Sequence, residues 1–176
     1  MSNNYVGAGI LNIITESLYD NPIVVFREYV QNSVDSIFKE DCQDDYEIKI
    51  WCDGNDLCFL DNGRGIDTQD FNDEMIKIGD SSKKKTRNLG YKGIGRLSGV
   101  PYCKKLTFIN ISNYASKELQ YYSIDGTKYE QLKANGDDKG LGFTEMMGII
   151  GTSFRDRKST RLNSSHVKRS RMPSSA

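Results

Sequence analysis

Glu28, Asn32 and Asp35 stand at i, i+4 and i+7 within the largely apolar stretch Val24 to Phe38, and a helix there stacks all three on one face. Two carboxylates and an amide in one line are costly to bury unless a metal, a ligand or hydrogen bonds compensate them. The stripe therefore has the composition of a polar binding site. The plainer reading is a solvated face on a surface helix, the usual place for acidic residues.

Two glycine-bearing segments lie further along. Asp61-Asn62-Gly63-Arg64-Gly65-Ile66 directly follows the apolar run Leu57 to Leu60. An Asp at the end of an interior strand, backed by glycines that admit a planar ring, can accept a hydrogen bond from an exocyclic amine such as that of adenine. Taken alone, the same residues also make an ordinary turn. The second segment, Gly90-Tyr91-Lys92-Gly93-Ile94-Gly95-Arg96, fits neither common phosphate motif. Arg96-Leu97 stands where a P-loop needs Lys and then Ser or Thr, and no strand immediately precedes the glycines. Closely spaced glycines opening a short helix still expose backbone N–H groups suited to a polyphosphate, and Lys83, Lys84, Lys85, Lys92 and Arg96 add positive charge. A flexible loop is the alternative.

These segments need elements to hold them. Ile10, Ile13, Ile14 and Leu18 give helical spacing over Gly9 to Leu18, and Asn21-Pro22 supplies an N-cap and first-turn proline for the helix that carries Glu28. Tyr46 to Trp51 alternates apolar and charged residues, Asp53-Gly54-Asn55 is turn-like, and Leu57 to Leu60 completes a hairpin. A helical pattern returns in Phe71 to Ile78. Strands are expected at Leu106 to Ile111 and Leu119 to Ile124, then a loop at Asn135-Gly136, then a strand region from Phe143 through Gly151-Thr152-Ser153-Phe154.

The chain has 176 residues, enough for one sizeable core, and no apolar run long enough to span a bilayer. The start, Met1-Ser2-Asn3-Asn4, lacks the features of a signal peptide, so a cytoplasmic protein is expected. The four cysteines form no CxxC pair and the single histidine lies far from them, which argues against a zinc site. A net charge of zero conceals a division. Residues 155–176 hold seven Lys or Arg and one Asp, and subtracting these from totals of 24 and 24 leaves 17 basic and 23 acidic residues in 1–154. An acidic body makes nucleic acid an unlikely partner. Asp156 to His166 matches, codon for codon, the translation of a common short-read sequencing adapter. The expectation is a body over 1–154 that carries the candidate site, cut short at its C-terminal side, followed by a non-native, disordered tail over 155–176.

In order and spacing the segments resemble the GHKL ATPases, the superfamily of gyrase, heat-shock chaperones, histidine kinases and MutL repair proteins. Glu28-x3-Asn32-x2-Asp35, Asp61-x-Gly63-x-Gly65, Gly90-x2-Gly93-x-Gly95 and Gly151-Thr152 resemble its four boxes. Ser17-Leu18-Tyr19-Asp20-Asn21 with Phe26-Arg27-Glu28 is most similar to the heat-shock-protein-ninety chaperones of the HtpG type. Ile78 to Lys83 and Lys92 to Ser98 also fit stand-alone bacterial ATP-binding proteins and the Morc-type branch.

The resemblance implies an α+β fold, a two-layer sandwich called the Bergerat fold, with a mixed, mostly antiparallel sheet covered by helices on one face. It implies ATP and Mg2+ as cofactors, with Glu28 as general base, Arg27 restraining it, and Asn32 ligating the metal. Asp61 would bind the adenine amino group, with Gly63, Gly65 and Ile66 beside the ring and Thr152 assisting. Lys83, Lys92, Gly93, Ile94 and Gly95 would surround the phosphates, and Asp35 would lie near the nucleotide or be structural. Residues 67–98 would form a lid. The expected activity is ATP hydrolysis, weak in a fragment without the following domain's Lys or Arg, in a full-length homodimer whose client is not legible. The alternative is a non-catalytic nucleotide-binding, interaction or regulatory domain.

Overall fold

The structure, a computed structural model, describes residues 21–37, 46–76, 94–111, 118–156 and 166–171, with backbone alone at 156 and 166–171. The helix expected over Gly9 to Leu18 lies outside these, as do Gly90, Lys83, Lys92, Gly93 and most of the expected lid.

The first described element is α1, Ile23–Ile37. Asn21 caps it as its type suggests, since Oδ1 accepts from the Ile23 amide at 3.0 Å. Val25, Tyr29, Ser33 and Ile37 recur every four residues and are buried along one stripe. Next come β1 (Ile48–Asp53) and β2 (Asp56–Asp61), an antiparallel hairpin with Asp53 opposite Asp56. The two-residue turn places Gly54 at φ 59°, the first loop position that a type II′ hairpin reserves for glycine.

After the short helix α2 (Phe71–Ile76) and two single 3-10 turns at Gly95–Leu97 and Val100–Tyr102, the chain forms β3 (Lys105–Ile111) and β4 (Leu119–Asp125). Helix α3 (Gly126–Asn135) starts at Asp125, whose Oδ1 accepts from Lys128 N at 2.9 Å, and stops at Gly136, which takes the left-handed conformation at φ 75°. Helix α4 (Phe143–Ile150) leads directly into β5 (Gly151–Asp156), and β6 is His166–Arg171. None of the helices among the described residues is long and apolar enough to cross a membrane.

The six strands lie in the order β1-β2-β6-β3-β4-β5, and all five pairings are antiparallel. Leu57, Phe59 and Asp61 on β2 share a face with Leu106, Phe108 and Asn110 on β3 and with Gln120, Tyr122 and Ile124 on β4. Helices cover that face, and the core forms between the layers from residues such as Tyr29, Phe59, Phe71, Leu97, Leu106, Met146 and Met147. Tyr29 stands edge-on to Phe59 with centroids 5.1 Å apart, fixing α1 on β2. This is the expected α+β layering.

Three details differ from the sequence expectations. The described sheet is wholly antiparallel rather than mixed. Phe143–Ile150 is helix, not strand, because Phe143, Met146, Met147 and Ile150 at i, i+3, i+4 and i+7 bury one helical face, and Glu145 Oε2 accepts from the Gly142 amide at 2.7 Å. Residues 155 and 156 belong to β5, and residues 166–171 of the supposed disordered tail form a strand bonded to both β2 and β3. The physical reason is that β2 and β3 would otherwise face one another with unpaired backbone groups, and main-chain ladder bonds are indifferent to the side chains of the strand that makes them.

Candidate functional site

Helix α1 forms the common wall of the site. Near its start, Arg27 Nη2 donates to Glu28 Oε1 at 3.0 Å, with the Arg27 side chain 68% exposed and that of Glu28 only 18%. Glu28 leans across the turn that begins at Gly95, its Oε2 occupying the place where a Cβ at residue 95 would stand. The next residue, Tyr29, passes under the same segment and donates its hydroxyl proton to Arg96 O at 3.1 Å. Gly99 is likewise closed to a side chain by the Tyr29 hydroxyl. The first box and the end of the glycine segment are thus in direct contact, with Ile94 half-buried beside them.

The other end of α1 holds the second box. Asp61 is 2% exposed at the close of β2 and accepts from the Gly63 amide through Oδ1 at 3.1 Å. The loop then turns against the helix: Arg64 N donates to Ser36 O at 3.4 Å and Gly65 N to Ser36 Oγ at 3.3 Å. A Cβ on Gly63 would overlap Ser36 Oγ and approach the Ile37 amide to 2.8 Å, so this glycine is required by the helix itself. Gly65 has φ 79°, a left-handed conformation that favours glycine. The sequence ascribed both glycines to ring approach, whereas packing and backbone conformation already account for them.

Asn32 is half-buried and Asp35 buried on the stretch of α1 between these two ends. Glu28 and Asp35 are seven residues apart, about 10 Å along a helix axis, so one element carries a carboxylate at the glycine turn and a second, buried one two turns on, next in sequence to the Ser36 that bonds the Asp61 loop. The set suits a magnesium nucleotide. Among the described residues no three His, Cys, Asp or Glu side chains converge into a metal cage. A single protein ligand such as the Asn32 amide, with phosphate oxygens and water filling the other positions, agrees with the small number of protein ligands Mg2+ usually takes.

Two residues depart from their expected places. Thr152 is on β5, at the opposite edge of the sheet from the β1–β2 hairpin, with β6, β3 and β4 between it and Asp61. It pairs with Ser123, on the face away from the helices, and is exposed. Four strand spacings put β5 about 19 Å from β2, so the structure does not bring Thr152 to the Asp61 loop. Arg96 points inward rather than toward a phosphate: Nη2 donates to Met75 O at 3.4 Å. Burial lowers its pKa from 12.5 to about 10, partly opposed by Glu74 and Tyr122.

Ser36, Tyr29, Asn110 and Gln120 were missed by sequence reasoning. Asn110 and Gln120 had a signal, being polar residues at inward positions of strands whose other inward residues are Leu106, Phe108, Tyr122 and Ile124. Ser36 and Tyr29 gave none, because a lone hydroxyl on a helix reveals no partner.

A polar helix face bridging the Asp61–Gly65 loop and a glycine turn, over an antiparallel sheet, is an arrangement suited to a nucleotide. Residues 20–139 match the family of histidine kinase-, DNA gyrase B-, and HSP90-like ATPases, and the chain belongs to it. Among curated proteins it is similar to the chaperone protein HtpG of Sulfurovum sp. (strain NBC37-1), at 28% identity over 74% of this chain and 25% of that protein. Similar, too, are the HtpG proteins of Campylobacter jejuni serotype O:6 (27% identity, 77% and 26% covered) and Fusobacterium nucleatum (25% identity, 77% and 26% covered). The chain spans about a quarter of the length of the curated relatives it matches.

Proposed function

We propose that this chain binds ATP with Mg2+ along α1 and hydrolyses it slowly to ADP and phosphate. The observation that carries the reading is the double engagement of one helix, with Glu28 packed on Gly95 at one end and Ser36 bonded to the Asp61–Gly65 loop at the other. Asp61 would take the adenine amino group, and Gly65 and Ile66 would lie along the ring. Asn32 would ligate Mg2+, which supplies charge neutralisation at the phosphates, and Ile94 and Gly95, with Gly93, Lys92 and Lys83, would line the phosphate end.

Glu28 would orient and deprotonate a water, and its ion pair with Arg27 at 3.0 Å would hold it in a restrained position. Release of that ion pair is the step by which the carboxylate becomes available. In the longer protein, nucleotide would drive closure of a lid over residues 67–98 and dimerisation of a cytoplasmic, chaperone-like ATPase. Residues 155–176 are proposed to be foreign to it, although 155 and 156 extend β5 and 166–171 contribute a strand.

The test is calorimetric titration of Mg-ATP and ADP into the whole chain beside Asp61→Asn and Glu28→Gln. The expected result is binding that is lost in Asp61→Asn and kept in Glu28→Gln, with residual turnover abolished in the latter. Unchanged binding by Asp61→Asn refutes the adenine assignment. Binding without turnover in the unsubstituted chain favours the second reading, a nucleotide-regulated interaction domain, which the Arg27–Glu28 ion pair supports by keeping the acid engaged.

A further inference from the structure

Asn110 and Gln120 face each other directly across β3 and β4, 0% and 1% exposed, on the helix-covered face of the sheet. Their amides form a relay. Asn110 Oδ1 accepts from Ile66 N at 2.8 Å, while its Nδ2 donates to Ile66 O at 2.8 Å and to Gln120 Oε1 at 3.0 Å. Gln120 Nε2 in turn donates to Thr68 O at 3.0 Å. Asn110 therefore gives Ile66 the pair of bonds that a neighbouring strand residue would give, although the partner is a loop.

The loop so held is the one that leaves Asp61. It is fixed by its own aspartate at Gly63, by Ser36 of α1 at Arg64 and Gly65, and by this amide pair at Ile66 and Thr68. Two buried amides are an expensive way to fill a row otherwise occupied by Leu106, Phe108, Tyr122 and Ile124. What they add is direction, because each amide has a single orientation that satisfies both loop and partner.

We propose that Asn110 and Gln120 are positioning residues that set base selectivity: without touching the nucleotide, they fix the Asp61–Thr68 loop in the geometry that distinguishes an exocyclic amine from a carbonyl. The inference rests on the ATP-binding reading above. A flexible loop would let Asp61 and its backbone neighbours shift to suit either purine edge, whereas a fixed one leaves the wrong edge unpaired.

The experiment compares Mg-ATP and Mg-GTP titrations for the unsubstituted chain, Asp61→Asn, Gln120→Glu and the double variant Asn110→Leu/Gln120→Met, with amide hydrogen exchange at Gly65 and Ile66. The double variant keeps the core filled. Gln120→Glu keeps shape and still accepts from Asn110 while losing the donor to Thr68. The expected result is faster exchange at Ile66 and an ATP-over-GTP preference reduced roughly tenfold, the loss of one buried hydrogen bond's worth of discrimination. A merely structural role would weaken both nucleotides equally or neither. If the double variant fails to fold, Gln120→Glu decides alone. Binding that Asp61→Asn loses but the amide variants keep at the original preference overturns this inference and spares the parent reading. Absence of ATP binding by the unsubstituted chain overturns both.

Discussion

Glu28 and Gly95 share one space, the carboxylate lying where any side chain at residue 95 would begin. The atom in the way is the far end of a flexible side chain, so Gly95→Ala can be accommodated by moving Glu28 rather than the backbone. The expected outcome is a melting temperature close to that of the unsubstituted chain, with turnover reduced by about two orders of magnitude through displacement of the acid. Parallel thermal denaturation and phosphate-release assays check this, and unchanged turnover would show that Glu28 is not held in its working position here.

Gly63→Ala should behave in the opposite way. Its Cβ meets the Ile37 amide and Ser36 carbon at 2.8 Å as well as Ser36 Oγ, and backbone cannot step aside cheaply. Separation of α1 from the loop should cost about 2–4 kcal/mol in urea denaturation and abolish ATP binding. A variant of near-normal stability would mean that this helix–loop contact is looser than the structure has it.

Asn21→Ala removes the side-chain acceptor for Ile23 N at an exposed position. Stability should fall by about 1 kcal/mol, while ATP affinity stays the same because the cap bond, from Ile23 N to Asn21, involves no residue of the site. Chemical denaturation with titration of the same samples separates the two effects.

Tyr122 gives a pH signature. Burial pushes its pKa from 10.0 up to about 12, with Arg96 pulling it slightly back. The folded phenol keeps its proton where the unfolded one has lost it, so its contribution is complete below pH 10 and disappears as pH rises toward 12. Arg96, lowered to about 10, has the reverse sign: the unfolded chain holds the extra proton above pH 10, and stability from this group rises with pH. Tyr122→Phe removes the first effect, together with the small opposing pull of the phenolate on Arg96. Between pH 9 and 11 the variant should gain about 1 kcal/mol relative to the unsubstituted chain, measured as the difference in denaturation free energies. A constant difference would place the phenol in a more solvated setting.

Local features were legible in the sequence where one residue type had one job. Asn21-Pro22 marked the start of α1, and Gly54 marked the hairpin turn. The stripe Glu28, Asn32, Asp35 was legible because helical spacing alone puts the three together. Phe143–Ile150 misled because an apolar run beside a strand can belong to either period until its burial is known. Helix α3 was hidden for the opposite reason, since it buries little beyond Tyr129. The place of Thr152 depended on strand order, which no local pattern encodes. Asn110 and Gln120 were visible as polar residues, but their function required knowing which loop crosses above them.

The position of β6 bears on how the molecule is made. It is the last described strand in the sequence and yet lies inside the sheet, bonded on one side to β2 and on the other to β3. The β1–β2 hairpin and the β3–β4–β5 group can each form from nearby residues as the chain leaves the ribosome, but among the described strands none joins them edge to edge until this segment, proposed above to be foreign to the longer protein, arrives. Sheet closure is therefore a late, long-range event limited by chain entropy. Until then two open edges remain available to other nascent copies, so yield should depend on synthesis rate and concentration more than on the stability of the finished fold.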